Sequence, residues 1–161
     1  MNEDEARARI CQIAGEWIGT PFHDHAEVKG AGCDCATLLK KVFEEAGLVQ
    51  PFKLDHYSPQ HFLHSEDERY IGWIERFGRE IPQAEAKPGD VVLYRPRDAK
   101  CFCHGALIGE PGWPSIIHAH YAARCVRRDN GLSPRLGSPI VAMKFYSLFP
   151  PATVSKKKSN P

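Results

Sequence analysis

Apolar positions recur at helical spacing early in the chain and at strand-like spacing late, so helices are expected first and strands afterwards. Ile10, Ile13, Ala14, Trp17 and Ile18 form one helical face, which predicts an amphipathic helix over residues 4–18, stopped by Gly19 and Pro21. Leu38, Leu39, Val42, Phe43 and Ala46 form a second face, which predicts a helix over residues 35–46 closed by Gly47. A polar, histidine-rich loop follows. The run "SEDE" then offers Ser65 and Glu68 as a capping box for a third helix carrying Ile71, Ile74 and Phe77. After "KPGD" the texture changes. Residues 90–95 (DVVLYR), 103–108 (CHGALI), 115–121 (SIIHAHY) and 139–147 (PIVAMKFYS) are short and rich in β-branched or aromatic residues, as strands are. "GEPGWP" reads as the turn between the second and third of them. The expected class is α+β, with N-terminal helices packed on a central antiparallel β-sheet. Residues 1–149 read as a single domain, and residues 150–161 (PPATVSKKKSNP) as a basic, disordered tail suited to an acidic partner.

Composition narrows the setting. At 161 residues and 42% hydrophobic content, the chain has room for one real core. A net charge of +1 provides no field to gather phosphates, so nucleic acid is not expected as a partner. No apolar run approaches the ~18 residues of a membrane span. The beginning, "MNEDEARARI", is acidic where a secretory signal would be basic and then apolar, so synthesis in the cytoplasm is expected. The six cysteines, at 11, 33, 35, 101, 103 and 125, then read as free thiols rather than a disulfide frame.

The run "KGAGCDC" raises the question of chemistry. With Asp34 as N-cap, Cys35 falls in the first helical turn, where unpaired N–H groups and the helix dipole favour an anion. A thiolate with a lowered pKa is expected there, as a nucleophile needs. Cys33, one step before the helix, has no such reason to ionise. The bland alternative is that both are small buried fillers. Zinc is a further alternative, since Cys33, Cys35, Cys101, Cys103 and His104 exceed four ligands. Zinc pairs usually run C-x2-4-C, however, and both pairs here are separated by one residue. In a strand, Cys103 and His104 would also point to opposite faces. No metal and no cofactor is expected.

A cysteine nucleophile wants an imidazole, and that imidazole wants a polar group to orient it. His104 begins a strand. His118 and His120 share one face of the next, so alternation allows either as orienter. His23, His25, His56, His61 and His64 fall in predicted loops.

The motifs "GTPF", "KGAGCDC", "KPGDVVLY", "CHGALIG" and "IIHAH" follow one another in an order that resembles the NlpC superfamily of papain-like cysteine peptidases, over residues 10–147. The stretch over residues 22–35 is similar to the branch carried by phages, prophages and gene-transfer agents. The resemblance implies Cys35 as nucleophile, His104 as general base and His118 as the group orienting it. It also implies hydrolysis of bacterial cell-wall (murein) peptides through an acyl-enzyme, with phage tail proteins as partners. Two alternatives stay open: a tail-assembly component of the same fold with little catalysis, and a thiol amidase or acyltransferase on another substrate. The chain departs from the family in having Ala36 and Thr37 where Ser-Gly is common, and Phe22 where many members have a tyrosine that helps the oxyanion site. A phenyl ring cannot donate that hydrogen bond. Asp34, Phe22, His23 and Thr37 are therefore the candidates for the oxyanion site and substrate pocket, with His23 or the Cys35 N–H as replacement donor.

Overall fold

The computed structural model describes residues 1–151. Most of the expected basic tail lies outside them. Helix α1 (Glu3–Glu16) starts where the Asn2 side chain accepts from the Glu5 N–H at 2.9 Å and the Glu5 carboxylate accepts from the Asn2 N–H at 2.8 Å. It buries Ile10, Ile13 and Ala14, and Trp17 follows at its end. The β1–β2 hairpin (Glu27–Val28, Gly32–Cys33) precedes α2 (Cys35–Glu45), whose buried face includes Leu38, Leu39, Val42 and Phe43. Two short helices, α3 (His61–His64) and α4 (Arg69–Ile74), lead to the strands β3 (Arg79–Ile81), β4 (Val91–Pro96), β5 (His104–Ile108), β6 (Ser115–His120), β7 (Cys125–Asn130) and β8 (Ile140–Ser147). These six form one sheet in the order β3-β8-β4-β5-β6-β7, with every neighbour antiparallel.

The sheet is covered on both faces, which is why β4 and β5 read as unbroken apolar runs. On one face Val91, Leu93, Leu107, Ile117, Ala119 and Val126 meet α1 and α2. On the other, Val92, Tyr94, Ala106, Ile108, Ile116 and Phe145 pack with Trp113, Leu136 and Met143. The class is α+β, as the hydrophobic pattern predicted.

Some local expectations fail for physical reasons. There is no capping box at α4. Ser65 Oγ accepts from the Asp67 N–H at 3.1 Å, and Glu68 accepts from the Phe102 N–H at 3.0 Å, so both side chains hold loops instead. The first two helices end at Glu16 and Glu45, one or two residues before the predicted stops. Strand β7 (CVRRDN) escapes prediction because it is an edge strand whose only fully buried side chain is Val126, so it carries almost no apolar alternation.

Arg7 ties α1 to the sheet. Its Nη1 donates to Asp90 Oδ1 and to the Pro88 carbonyl, each at 2.9 Å, and its Nη2 donates to Ser147 Oγ at 3.3 Å. The Asp90 carboxylate is wholly buried, and its second oxygen accepts from the Lys87 N–H. Removing Arg7 strands that charge. Arg7→Ala should therefore lose roughly 3–5 kcal/mol in urea unfolding, and Arg7→Ala with Asp90→Asn should recover part of the loss. A loss under about 1 kcal/mol would place this pair among ordinary surface ion pairs.

Candidate active site

The N-terminus of α2 is organised by Asp34. Its Oδ1 accepts from the N–H groups of Ala36 at 3.0 Å and Thr37 at 2.9 Å, and Thr37 Oγ1 accepts from the Asp34 N–H at 2.8 Å. Asp34 Oδ2 accepts from the His25 N–H at 2.8 Å and from the Tyr57 hydroxyl. Two of the free donors of the first helical turn, the N–H groups of Ala36 and Thr37, thus go to a carboxylate, which leaves the Cys35 N–H. Burial, and after it the charge of Asp34, pushes the Cys35 thiol up to about 12. The expected low-pKa thiolate is therefore corrected to a neutral thiol, because burial first, and then the Asp34 carboxylate at the same helix end, disfavours an anion there. Cys33 is pushed up to about 12 as well, by burial first and then by Asp34 and Cys35. Access separates the two: Cys33 is fully buried in the core, whereas Cys35 is half-buried on the wall of a cavity of about 780 Å³.

Cys35 lies against the start of β5, with Sγ 3.9 Å from the Cys103 carbonyl oxygen. The Tyr70 hydroxyl, from α4, donates to the Cys35 carbonyl at 2.9 Å. Gly105 makes this fit achievable, since a Cβ there would collide with that hydroxyl. His104 lines the same cavity as Cys35. Its Nε2 lies 2.8 Å from Nδ1 of His118, and Nε2 of His118 lies 3.2 Å from Asp129 Oδ2. Burial holds both imidazoles neutral: His104 is well below its ordinary value, with His118 and His120 adding to the effect, and His118 is lowered to about 4 in spite of the hydrogen bond it makes to Asp129.

His120, which strand alternation could not separate from His118, has a different task. Its Nδ1 accepts from the Ala123 N–H at 2.9 Å, and its Nε2 lies 3.1 Å from the carbonyls of Pro134 and Arg135. It clips the segment after β7 to the sheet. His118, His120 and Asp129 also bring ligand-type atoms within 4.8 Å of one another. An imidazole that accepts at one nitrogen and donates at the other has no lone pair left for an ion, so His120 does not complete a metal set.

Two pocket candidates fall away. Thr37 is buried in the cap and does not narrow the cavity, and His23 is exposed, with its N–H given to the Cys33 carbonyl at 2.8 Å. Phe22 and Asp34 do line the cavity, and Phe22 packs edge-on against Tyr121 with ring centroids 5.4 Å apart. Tyr57, Tyr70 and Asp129 were not anticipated. Tyr57 and Tyr70 reach the site from the long loop and α4, where no local signal marks them. Asp129 would have been visible had β7 been recognised, because it shares strand parity with residues 125 and 127.

The arrangement has solved counterparts. The NlpC/p60 domain of the peptidoglycan hydrolase SagA matches with a TM-score of 0.56 at 19% identity, over 87% of this chain and 96% of that one. An NlpC/p60 family protein from Bacillus cereus matches with a TM-score of 0.64 at 17% identity, over 89% of this chain and 40% of that one. The chain has the NlpC/p60 fold. The peptidoglycan hydrolase RipB from Mycobacterium tuberculosis also matches, with a TM-score of 0.58 and 17% identity over 91% of this chain and 66% of that one. No family model and no curated protein matches the sequence. Among the described residues, no helix is long and apolar enough to cross a membrane.

A thiol near 12 makes reactivity depend on pH. Alkylation of Cys35 by iodoacetamide should rise about tenfold per pH unit between roughly pH 7 and 9, with Cys33 unlabelled in the folded protein. A flat rate would instead reveal a preformed thiolate–imidazolium pair, and labelling of Cys33 ahead of Cys35 would reverse the assignment by access.

Neutral buried histidines also link stability to pH. The unfolded chain takes up protons at these side chains near ~6.5, whereas the folded chain does not until about 4 at His118. Protons therefore favour unfolding: stability is full above about pH 6.5 and is lost as the pH falls toward 4, by roughly 3 kcal/mol for His118 alone. The urea midpoint should be higher at pH 7.5 than at pH 4.5, and His118→Gln should flatten the difference. Equal wild-type midpoints would mean that His118 is not held neutral.

Proposed function

We propose that this protein is a cysteine peptidase that hydrolyses amide bonds in bacterial cell-wall peptides. The observation that carries the reading is the His104–His118 pair, set 2.8 Å apart beside the cavity that Cys35 also lines. Solved proteins of this fold named as peptidoglycan hydrolases, SagA and RipB, support the substrate class. The similarity of residues 22–35 to phage-encoded members supports a phage-type enzyme, made in the cytoplasm and acting at the wall alongside tail proteins.

The chemistry follows from a neutral pair. Among the described residues, Nδ1 of His104 makes no hydrogen bond, so its lone pair is free for the Cys35 thiol proton. The sulfur then attacks the scissile carbonyl, and the tetrahedral intermediate collapses as His104 passes the proton to the leaving amine. His104 next takes a proton from water, which attacks the thioester, releases a carboxylate and restores the thiol. Phe22 has no hydroxyl for the oxyanion. The Cys35 N–H, at the first position of α2, is the donor in its place.

The test is digestion of purified murein by wild type, Cys35→Ala, His104→Ala and His118→Ala, with products identified by mass. Wild type should release new peptide fragments and Cys35→Ala none. His104→Ala should lower turnover by about two to four orders of magnitude, and His118→Ala by less. A folded wild type that releases nothing beyond Cys35→Ala would remove the peptidase reading and favour a structural role for the fold.

A further inference from the structure

Asp129 lies on β7 and, among the described residues, does not line the cavity with Cys35. In the β6–β7 register His118 stands opposite Arg127 and Ile116 opposite Asp129, so Asp129 is the diagonal neighbour of His118 on the same sheet face. Its Oδ2 lies 3.2 Å from Nε2 of His118 and pairs ionically with the Arg127 guanidinium, whose Nε is 3.1 Å away. His118 is completely buried, so no water competes for its ring.

A carboxylate can only accept, and this settles every proton along the line. Nε2 of His118 must carry the hydrogen that Asp129 Oδ2 receives. In a neutral ring Nδ1 of His118 is then a bare lone pair, so Nε2 of His104, 2.8 Å away, must be the donor between the two rings. The neutral His104 ring is left with its only lone pair on Nδ1, the nitrogen a general base would use.

We infer that Asp129 is a positioning residue that locks the tautomers of His118 and, through it, of His104, and that Arg127 holds the Asp129 carboxylate in place. This rests on the peptidase reading for its consequence in turnover, but not for the tautomers themselves. Without Asp129 either nitrogen of His118 can carry the proton. Molecules with Nδ1–H on His118 force Nδ1–H on His104, and in those molecules His104 cannot take the thiol proton.

The experiment has two independent arms on wild type, Asp129→Ala and Asp129→Asn. In the first, two-bond proton–nitrogen NMR spectra of histidine-labelled protein at neutral pH report which ring nitrogen is protonated. Wild type should show Nε2–H for both His104 and His118, and Asp129→Ala should show a mixture or the Nδ1–H form. Asp129→Asn keeps an oxygen toward Arg127 and His118 and should retain most of the wild-type pattern. In the second arm, murein digestion should show kcat reduced roughly tenfold to a hundredfold in Asp129→Ala with KM nearly unchanged, and Asp129→Asn in between. If wild type shows another tautomer, or if folded Asp129→Ala keeps both the wild-type tautomers and the wild-type kcat, the assignment is wrong. If Asp129→Ala does not fold, Asp129→Asn decides: kcat that follows the fraction of Nε2–H rings, with KM unchanged, supports the lock, and a change in either one without the other overturns it. If wild type releases no peptide, the peptidase reading falls while the spectra still decide the role of Asp129.

Discussion

The Asp34 carboxylate is the contact on which the rest of the site depends. One buried side chain ends the unpaired N–H groups of α2 through Ala36 and Thr37, holds the residue 25 backbone, and receives the Tyr57 hydroxyl from the long loop. The start of α2, the residue 25 backbone and the long loop after α2 meet there, beside the cavity that Asp34 and Tyr57 line. The same charge also sets the resting state of its neighbour, because a carboxylate beside a half-buried thiol opposes its ionisation.

A site built this way leaves both Cys35 and His104 uncharged in the free protein. Burial disfavours a thiolate at Cys35 and a cation at His104 alike, so neither is present to be stabilised by water before the reaction. On the proposed peptidase reading, charge separation belongs to the reacting complex, where an oxyanion and a polarised substrate accompany it. In such a resting state the proton positions on the histidines matter more than their charges. The line of hydrogen bonds from Asp129 through His118 to His104 determines them.

The two sheet faces divide the labour. The face against α1 and α2 is a continuous apolar core that places Cys35 at the start of β5. The opposite face carries the polar line His104, His118 and Asp129 at the end of an otherwise apolar layer, and His120 beside it anchors the segment that completes the cavity wall. Position 105, where only hydrogen fits beneath the Tyr70 hydroxyl and the Leu39 side chain, lets the helix layer approach β5 closely enough for Tyr70 to reach the Cys35 carbonyl.

By itself the sequence determined the α+β class, the two amphipathic helices, four of the six sheet strands, and the Asp34–Cys35 start of α2, because each is written in local periodicity or capping chemistry. It also determined which residues could supply the chemistry, since only thiols and imidazoles of suitable strand parity qualify. It could not decide the charge state of Cys35, because a helix dipole is a local property whereas burial and the competing carboxylate depend on what packs around the sulfur. Alternation alone left His118 and His120 on one face, and only the resemblance of the motifs pointed to His118; the tertiary structure supplies the physical difference, bringing His104 to one and the Pro134 and Arg135 carbonyls to the other. Asp129, Tyr57 and Tyr70 were hidden for the same reason: their roles arise from an edge-strand register and a loop path, which leave no pattern among neighbouring residues.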